Sequence, residues 1–450
     1  MGGNEVAHGA FPAATIPIGK NIPLGKIAAD LSRLSAPGKY RLVVKVGPAL
    51  RPPAEASEPN IVTETLQDTQ VARPAFENYW NFWLYPAQLE DLKISDVLVT
   101  SSWDEAEKEL LAGGKVLFQP RLADLAWSSP PLARVPVFWN ALMGPTWSRM
   151  LGLWCDTNSP ALAKFPTESH CDWQWTELVR NARAINLDHL SRELKPIVSA
   201  IDDWNRNYKL GVVFEAKVGT GKLLVCSLDL NSQASPVARQ LKRSLLDYMA
   251  GSRFTPQVAL GTEAIPSLLF DNRIMHQLGA TATADGRRAN ELIDGDPNTF
   301  WSSADARGNG PKYPHEIKIS FPQAVALSGL VLMPRQNHRE HQGDLREFTL
   351  QSSDDGTNWQ PVASGQLAST FDEQKIPFGK TVSAKYLKLT ALSGFGNDNS
   401  AALAELAVIY AGPKLADDNA GSIEYQRVRT ASPDIDAGDA PAGPAKRGTN

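Results

Sequence analysis

Cysteine is scarce in this chain. Three thiols in 450 residues, Cys155, Cys171 and Cys226, are odd in number and contain no CxxC pair, so they support neither a disulfide framework nor a zinc site. Basic excess is missing as well. Lys and Arg number 45 against 49 acids, for a formal net charge of -4. No basic stripe is large enough to neutralise a phosphate backbone, which argues against a nucleic-acid partner. No run of 18 apolar residues exists, so no helix spans a membrane. The opening "MGGNEVAHGAFPAATIPIGK" lacks the basic and apolar regions of a secretory signal peptide. What the chain does have is turn formers and tryptophan: 33 Gly, 32 Pro and 12 Trp. Short strands, many turns and spare aromatic faces suit a β-rich protein that handles sugars.

At this length two or three domains are expected. Residues 1–92 read as strands. "GKYRLVVKVG" (38–47) alternates Tyr40, Leu42, Val44 and Val46 on one face, and "NYWNFWLYP" (78–86) alternates in the same way. So few strands make a partial β-sandwich, and the chain is expected to be a fragment of a larger protein, or one with a misassigned start. From 93 to 252 strands alternate with helices. "SDVLVTSS" precedes the helix "WDEAEKELLAGG", then come "KVLFQP", "KLGVVFEAKV", "GKLLVCSLDL" and the closing helix "SPVARQLKRSLLDYMAG". That alternation predicts an α/β domain with a largely parallel sheet. The "GTGK" at 219–222 is a strand-joining turn and no phosphate loop, since no helix follows it. Residues 253–274 read as a linker, 275–411 as a helix-poor run of strands forming a β-sandwich or jelly roll, and 412–450 as an Ala/Gly/Pro/Asp-rich disordered tail. The predicted fold class is therefore multidomain, α/β plus all-β.

The loop in "LIDGDPNTFWSS" (292–303) places Asp294, Asp296 and Thr299 at close spacing, with Gly295 and Pro297 orienting carbonyls. Calcium takes six to eight such oxygens. Glu405 in the last strand adds a carboxylate if the first and last strands pair. A capped β-turn holding no metal competes with this reading, because Asp and Asn fold such turns unaided. Trp301, just after the loop, is expected in the core. Sugar recognition needs an exposed aromatic with polar forks beside it. Candidates are Arg307, Arg335, Asn337 and Phe395, the last at the tip of "SGFGNDNS". His315 stands in two readings, ligand or strand-start framework group, and Arg335 equally suits a framework ion pair. In the middle block "FPTESHCDWQW" carries Glu168 and His170 among tryptophans, either a sugar, metal or catalytic pocket or a packed aromatic corner.

Two resemblances follow. The ordered segments "ANELIDGDPNTFWSS", "PHEIKISFPQAVALSGLVLMPRQ", "REFTLQSSDDGTNWQPVASG", "KYLKLTAL" and "AALAELAVIY" resemble a discoidin domain, the coagulation factor 5/8 type C fold shared with family-32 carbohydrate-binding modules. That resemblance implies a structural Ca²⁺ held by Asp294, Asp296, Thr299 and Glu405. It also implies a glycan ligand, and a periplasmic or extracellular setting. Galactose-binding relatives often carry His just after the loop Trp. Ser302 stands there in this chain, which leaves the sugar open. The segments "RVPVFWN", "LGLWCDTNSPALAKFPTESHCDWQW" and "IVSAIDDWNRNYKLGVVFEAKVGTGKLLVCSLDL" resemble the flavodoxin-like class I glutamine amidotransferase-like region in the C-terminal half of family 2 (β-galactosidase-like) glycoside hydrolases. None of the cysteines has the glycine neighbours of a nucleophile elbow, so amidotransferase activity is not expected. No segment supplies the roughly 250 residues of a (β/α)₈ barrel. The chain therefore reads as a carbohydrate-binding accessory region of a bacterial glycoside hydrolase that targets polysaccharide, with a homo-oligomer left open. The rivals are a glycan or glycan-ester hydrolase working through Glu168, His170 or Asp202, and a cell-surface adhesion module.

Overall fold

The computed structural model describes residues 5–12, 14–15, 17–46, 76–88, 96–132, 150–180, 182–202, 207–231, 234–286, 288–304, 310–336, 340–396, 399–413 and 415. Two compact units result, one containing residues 1–87 and 431–450, the other 88–430. In the first, Gly38–Val46 pairs antiparallel with Phe76–Leu84. Arg41 lies over the Tyr79 ring at 4.2 Å.

The second unit begins with a mixed sheet. Its strand order is Val97–Thr100, Lys115–Phe118, Gly221–Cys226, Lys209–Val218, Val198–Ile201 and Gly152–Cys155. The first three run parallel and the last three antiparallel, which corrects the expectation of a largely parallel sheet. The reason is local. Lys209–Val218 and Gly221–Cys226 are joined by Gly219 and Thr220 alone, and a two-residue connection can only make an antiparallel hairpin. Gly219 has φ +57°, and a Cβ on Gly221 would lie 2.5 Å from the Leu110 carbonyl, so both glycines are needed for turn and packing. The helix Trp103–Leu111 is capped by Ser102, with Asp104 and Glu105 in its first turn, where acids suit the helix dipole. The helix Pro236–Ala250 buries Val237, Leu241, Leu245 and Met249, an i, i+4 stripe. No described helix is long and apolar enough to cross a membrane.

Residues 281–410 form an antiparallel jelly roll. The sheet path is Thr281–Ala284, His315–Met333, Gln374–Ala391, Glu347–Ser353 and Gln360–Gln366, with Glu405–Tyr410 pairing the far half of His315–Met333. Along 315–321 side chains alternate strictly, with His315, Ile317, Ile319 and Phe321 buried and Glu316 and Lys318 exposed. The register shifts between Ser320 and Val325 around Pro322, which lacks a ladder N–H. This break lets one strand serve both ends of the sandwich. Trp301, 0% exposed, sits in the core and donates from Nε1 to the Asp285 carbonyl at 2.7 Å.

The stretch 253–274, expected as a linker, is laced onto the mixed-sheet block. Leu269 bridges Leu125, the Phe270 N–H donates to Asp124 at 2.7 Å, and the Ala126 N–H to Leu268 at 3.0 Å. Asn272 Nδ2 donates to the Leu125 carbonyl at 2.7 Å. Trp127 continues from this seam into the jelly-roll core, edge-on to Phe270 at 5.1 Å. Its backbone N–H donates to Glu373 of the jelly roll at 2.9 Å. Beneath, buried Arg183 donates to the carbonyls of Ser129, Ala126 and Trp127.

Candidate functional site

Two loop systems of the jelly roll carry the chemistry. In the first, Gly295 takes φ +80°, and Asp294 Oδ1 accepts the Asp296 N–H at 2.9 Å. Asp296 Oδ1 accepts the N–H of Asn298 at 3.0 Å and its Nδ2 at 2.9 Å. The Thr299 hydroxyl lies 3.1 and 3.0 Å from the two Asp294 oxygens and 2.9 Å from the Asp296 carbonyl. One hydroxyl hydrogen serves one of those three acceptors, so oxygens outnumber donors. Glu405, opposite Met333 in the ladder, is 0% exposed; neither carboxylate oxygen has a well-formed hydrogen bond, although the Gly295 backbone N–H acts on the group and favours its charged form.

Burial, and then the Asp294 carboxyl, hold Glu405 well above the usual carboxylate range. Burial likewise raises Asp294. The two carboxyls can share a hydrogen bond only when one is protonated. An ionised Glu405 here is an uncompensated buried charge, a costly arrangement without a cation. Among the described residues no three His, Cys, Asp or Glu side chains converge as a metal cluster. A cation at this loop would therefore take hydroxyl and carbonyl oxygens beside the carboxylates, as calcium does.

In the second system the loop after Met333 meets the 393–402 segment. The Phe395 N–H donates to the Asp344 carbonyl at 2.9 Å, the Gly343 N–H to the Phe395 carbonyl at 3.0 Å, and the Arg346 N–H to Ser393 at 2.9 Å. Arg335 lies over the Phe300 ring at 5.4 Å and donates from Nη2 to the Gln342 carbonyl. Its Nε stands 3.8 Å from Asp344 Oδ1. Asp344 Oδ2 takes His341 Nδ1 at 2.9 Å, and the His341 ring packs on Phe371 at 4.3 Å. Burial pushes the Asp344 carboxyl up to about 6 against the pull of His341 and Arg335. Phe395 is half-buried at the loop tip. The loops that carry Arg335 and Phe395 are thus tied to each other by the backbone of Gly343 and Asp344.

Other candidates fall elsewhere. Arg307 and Asn337 lie outside the described residues. His315 is 0% exposed, and its nitrogens face Asp285 Oδ2 at 2.7 Å, the Asn399 carbonyl at 2.8 Å and Ser303 Oγ at 3.3 Å. Of the two readings of this histidine, these contacts are those of a framework group: Nδ1 is occupied by Asp285, and Nε2 ties the Asn399 carbonyl to the core. Ser302 is half-buried, its Oγ accepting the Ala304 N–H at 3.2 Å. In the mixed-sheet block Trp175 is buried and donates to Thr167 at 2.9 Å, whereas His170 bridges Trp154 and is exposed, as is Trp173. Glu168 is half-buried. Asp202 is buried and accepts the Tyr208 N–H at 3.0 Å. Burial pushes the Cys155 and Cys226 thiols up to about 12, so both stay protonated at neutral pH. The sequence missed Asp344, His341 and Phe371. A signal for His341 lay in "HQG", since Gly343 and His341 both take positive φ.

Comparison with known proteins places names on these parts. Residues 277–406 match the F5/8 type C domain family, residues 98–270 match DUF8487 and residues 1–86 match DUF8488, both domains of unknown function. A sialidase of Micromonospora viridifaciens is 38% identical over 129 residues, 28% of this chain and 19% of that protein. A galactose oxidase of Gibberella zeae is 32% identical over 127 residues, 28% of this chain and 18% of that protein. The chain thus matches about a fifth of the length of these curated relatives. Among solved structures, CBM32-3 from a family 31 glycoside hydrolase of Clostridium perfringens is 32% identical, covers 29% of this chain and 88% of that one, and has a TM-score of 0.26. The family 32 module of C. perfringens NanJ, in complex with galactose, is 24% identical, covers 30% and 95%, and has a TM-score of 0.27. The jelly roll is an F5/8 type C, discoidin-like domain.

Proposed function

We propose that this chain is a glycan-binding accessory region and that its F5/8 type C domain holds a saccharide at the end carrying Arg335 and Phe395. The juxtaposition of an arginine fork and a half-buried loop-tip aromatic is the observation that supports this most. Such a pair serves one polar edge and one apolar face of a pyranose ring. Arg307 and Asn337 complete the proposed contact set. The loop of Asp294, Asp296 and Thr299, with Glu405, would hold calcium. The buried Glu405 carboxyl, which has no cationic partner and no well-formed hydrogen bond, and the surplus of acceptors around Thr299 support that assignment. When bound, the ion supplies charge compensation that lets the carboxylates stay ionised and ties the loop to the last strand.

The proposed parent is a glycoside hydrolase of the β-galactosidase-like family 2 kind, acting outside the cytoplasm. The mixed-sheet block is proposed as an amidotransferase-like scaffold without chemistry of its own, because its buried thiols are held protonated. Calorimetric titration of the chain with methyl β-D-galactoside and with a panel of neutral and acidic oligosaccharides tests the glycan reading. Binding to at least one saccharide is expected, weakened about tenfold or ~1.4 kcal/mol by Arg335→Ala. A folded chain indifferent to the whole panel would sink it.

A further inference from the structure

Asp344 has no direct role in the reading above, yet it touches every part of the loop end. We propose that Asp344 is a positioning residue that holds Arg335 and the Phe395 turn in binding geometry, making saccharide capture depend on its carboxylate charge. This rests on the glycan reading of the same end. Asp344 itself is buried, with its side chain only 4% exposed, so it is not a contact for a ligand in solvent.

The contacts of the Arg335 guanidinium include the Phe300 face, the Gln342 carbonyl at Nη2 and the Asp344 carboxylate, an ion pair 3.8 Å from Nε. Only the last changes with pH. The same carboxylate takes Nδ1 of His341, a residue held at φ +54° and braced on Phe371. Through its backbone, Asp344 accepts from the Phe395 N–H and donates to the His341 carbonyl at 3.0 Å. It also bridges Ala402. One residue therefore joins the arginine loop to the aromatic loop.

The charged groups facing its carboxyl are Arg335 and His341, both from its own loop. From the facing segment, the described residues Ser393, Gly394, Phe395, Ala401 and Ala402 bring no titratable group. A carboxyl in this setting, raised to about 6, is charged at pH 7.5 and largely neutral at pH 5. Neutralising it removes the anion opposite Arg335 Nε and weakens the hydrogen bond with His341.

Two measurements on the whole chain test this. The first is the ¹⁵Nε–H resonance of Arg335 followed by NMR from pH 4.5 to 8, with no saccharide present. It is expected to titrate with a midpoint near 6 in the wild type and to stay flat in Asp344→Asn. The second is calorimetric affinity for methyl β-D-galactoside at pH 5 and 7.5. Wild type is expected to bind several-fold more tightly at pH 7.5. Asp344→Asn should bind about tenfold more weakly at pH 7.5 with no pH preference, while melting at the wild-type temperature or above. His341→Gln should keep the pH preference.

An Arg335 signal that ignores pH overturns the proposal, and so does unchanged affinity in Asp344→Asn. A pH preference lost in His341→Gln and kept in Asp344→Asn assigns the switch to the imidazole and overturns it too. If Asp344→Asn melts well below wild type, its role is structural and the proposal falls. If the Arg335 signal titrates but no saccharide binds at either pH, the glycan reading fails and the clamp on Arg335 stands.

Discussion

Glu405 and Asp344 are both buried acids of the same jelly roll, and their surroundings are opposite. Asp344 faces a guanidinium and an imidazole. Glu405 faces another carboxyl, neither of its oxygens has a well-formed hydrogen bond, and the Gly295 backbone N–H is the one donor that acts on it; one Asp344 oxygen, Oδ1, is likewise without a hydrogen bond. Burial raises both, but only Asp344 has its compensating charge supplied by the chain. The difference separates the two proposals: a buried acid without a cationic partner in its own chain suits an ion from outside, and one with cationic partners suits the orienting of those groups.

The largest test removes what both ends share. Trp301→Ala leaves a cavity in the jelly-roll core and should cost ~3–5 kcal/mol, seen in thermal melts of the whole chain. If it leaves the melting temperature unchanged, the two ends do not depend on a common core. Next, calcium in hundredfold excess over its dissociation constant should stabilise the wild type by about 2.7 kcal/mol. Glu405→Gln should erase that calcium response without touching Arg335. A calcium shift that survives the substitution would place the ion elsewhere.

A smaller effect comes from Asp344, whose folded value lies above its ordinary 3.8. Its stabilising contribution is present below that ordinary value and is lost as pH rises through about 6. In calcium-saturated buffer the wild type should lose on the order of 2 kcal/mol relative to Asp344→Asn between pH 4 and 7. Denaturant melts of the pair at several pH values measure this. Parallel curves would mean that the partners fully compensate the charge. Smallest is Phe395→Ala, expected to leave the melting temperature alone and to weaken saccharide affinity by about 1 kcal/mol. Equal affinity would exclude the loop tip from the ligand.

Much of this was legible in the residues, by short-range rules. Trp301 in the core, the order of jelly-roll strands and the oxygen-rich loop all lie within a few residues of their signals. Glu405 was expected near Asp294 through the resemblance and through pairing of the first and last strands; those strands instead both pair with His315–Met333. The antiparallel hairpin at Gly219 and Thr220 was legible too, from connection length, and alternation of strands with helices masked it. His315 shows the limit. A strand-start histidine reads alike as ligand or framework, and its partners Asp285 and Asn399 lie 30 and 84 residues away. Asp344 hid for a similar reason: charge-rich "REHQGDLRE" reads as solvated loop until the 393–402 segment closes over it. Residues 253–274 have a linker's composition, and only the partners 122–127 turn them into structure.

The seam through Trp127 carries a consequence for aim. A module on a flexible tether wanders through a volume set by tether length, so its ligand arrives in any orientation. Here the indole of one block is rooted in the core of the other, while the backbone of Trp127 is held by Glu373 at its N–H and by Arg183 at its carbonyl. Whatever direction a polymer takes across the jelly roll is then its direction across the mixed sheet, as a rail fixes the heading of what runs along it.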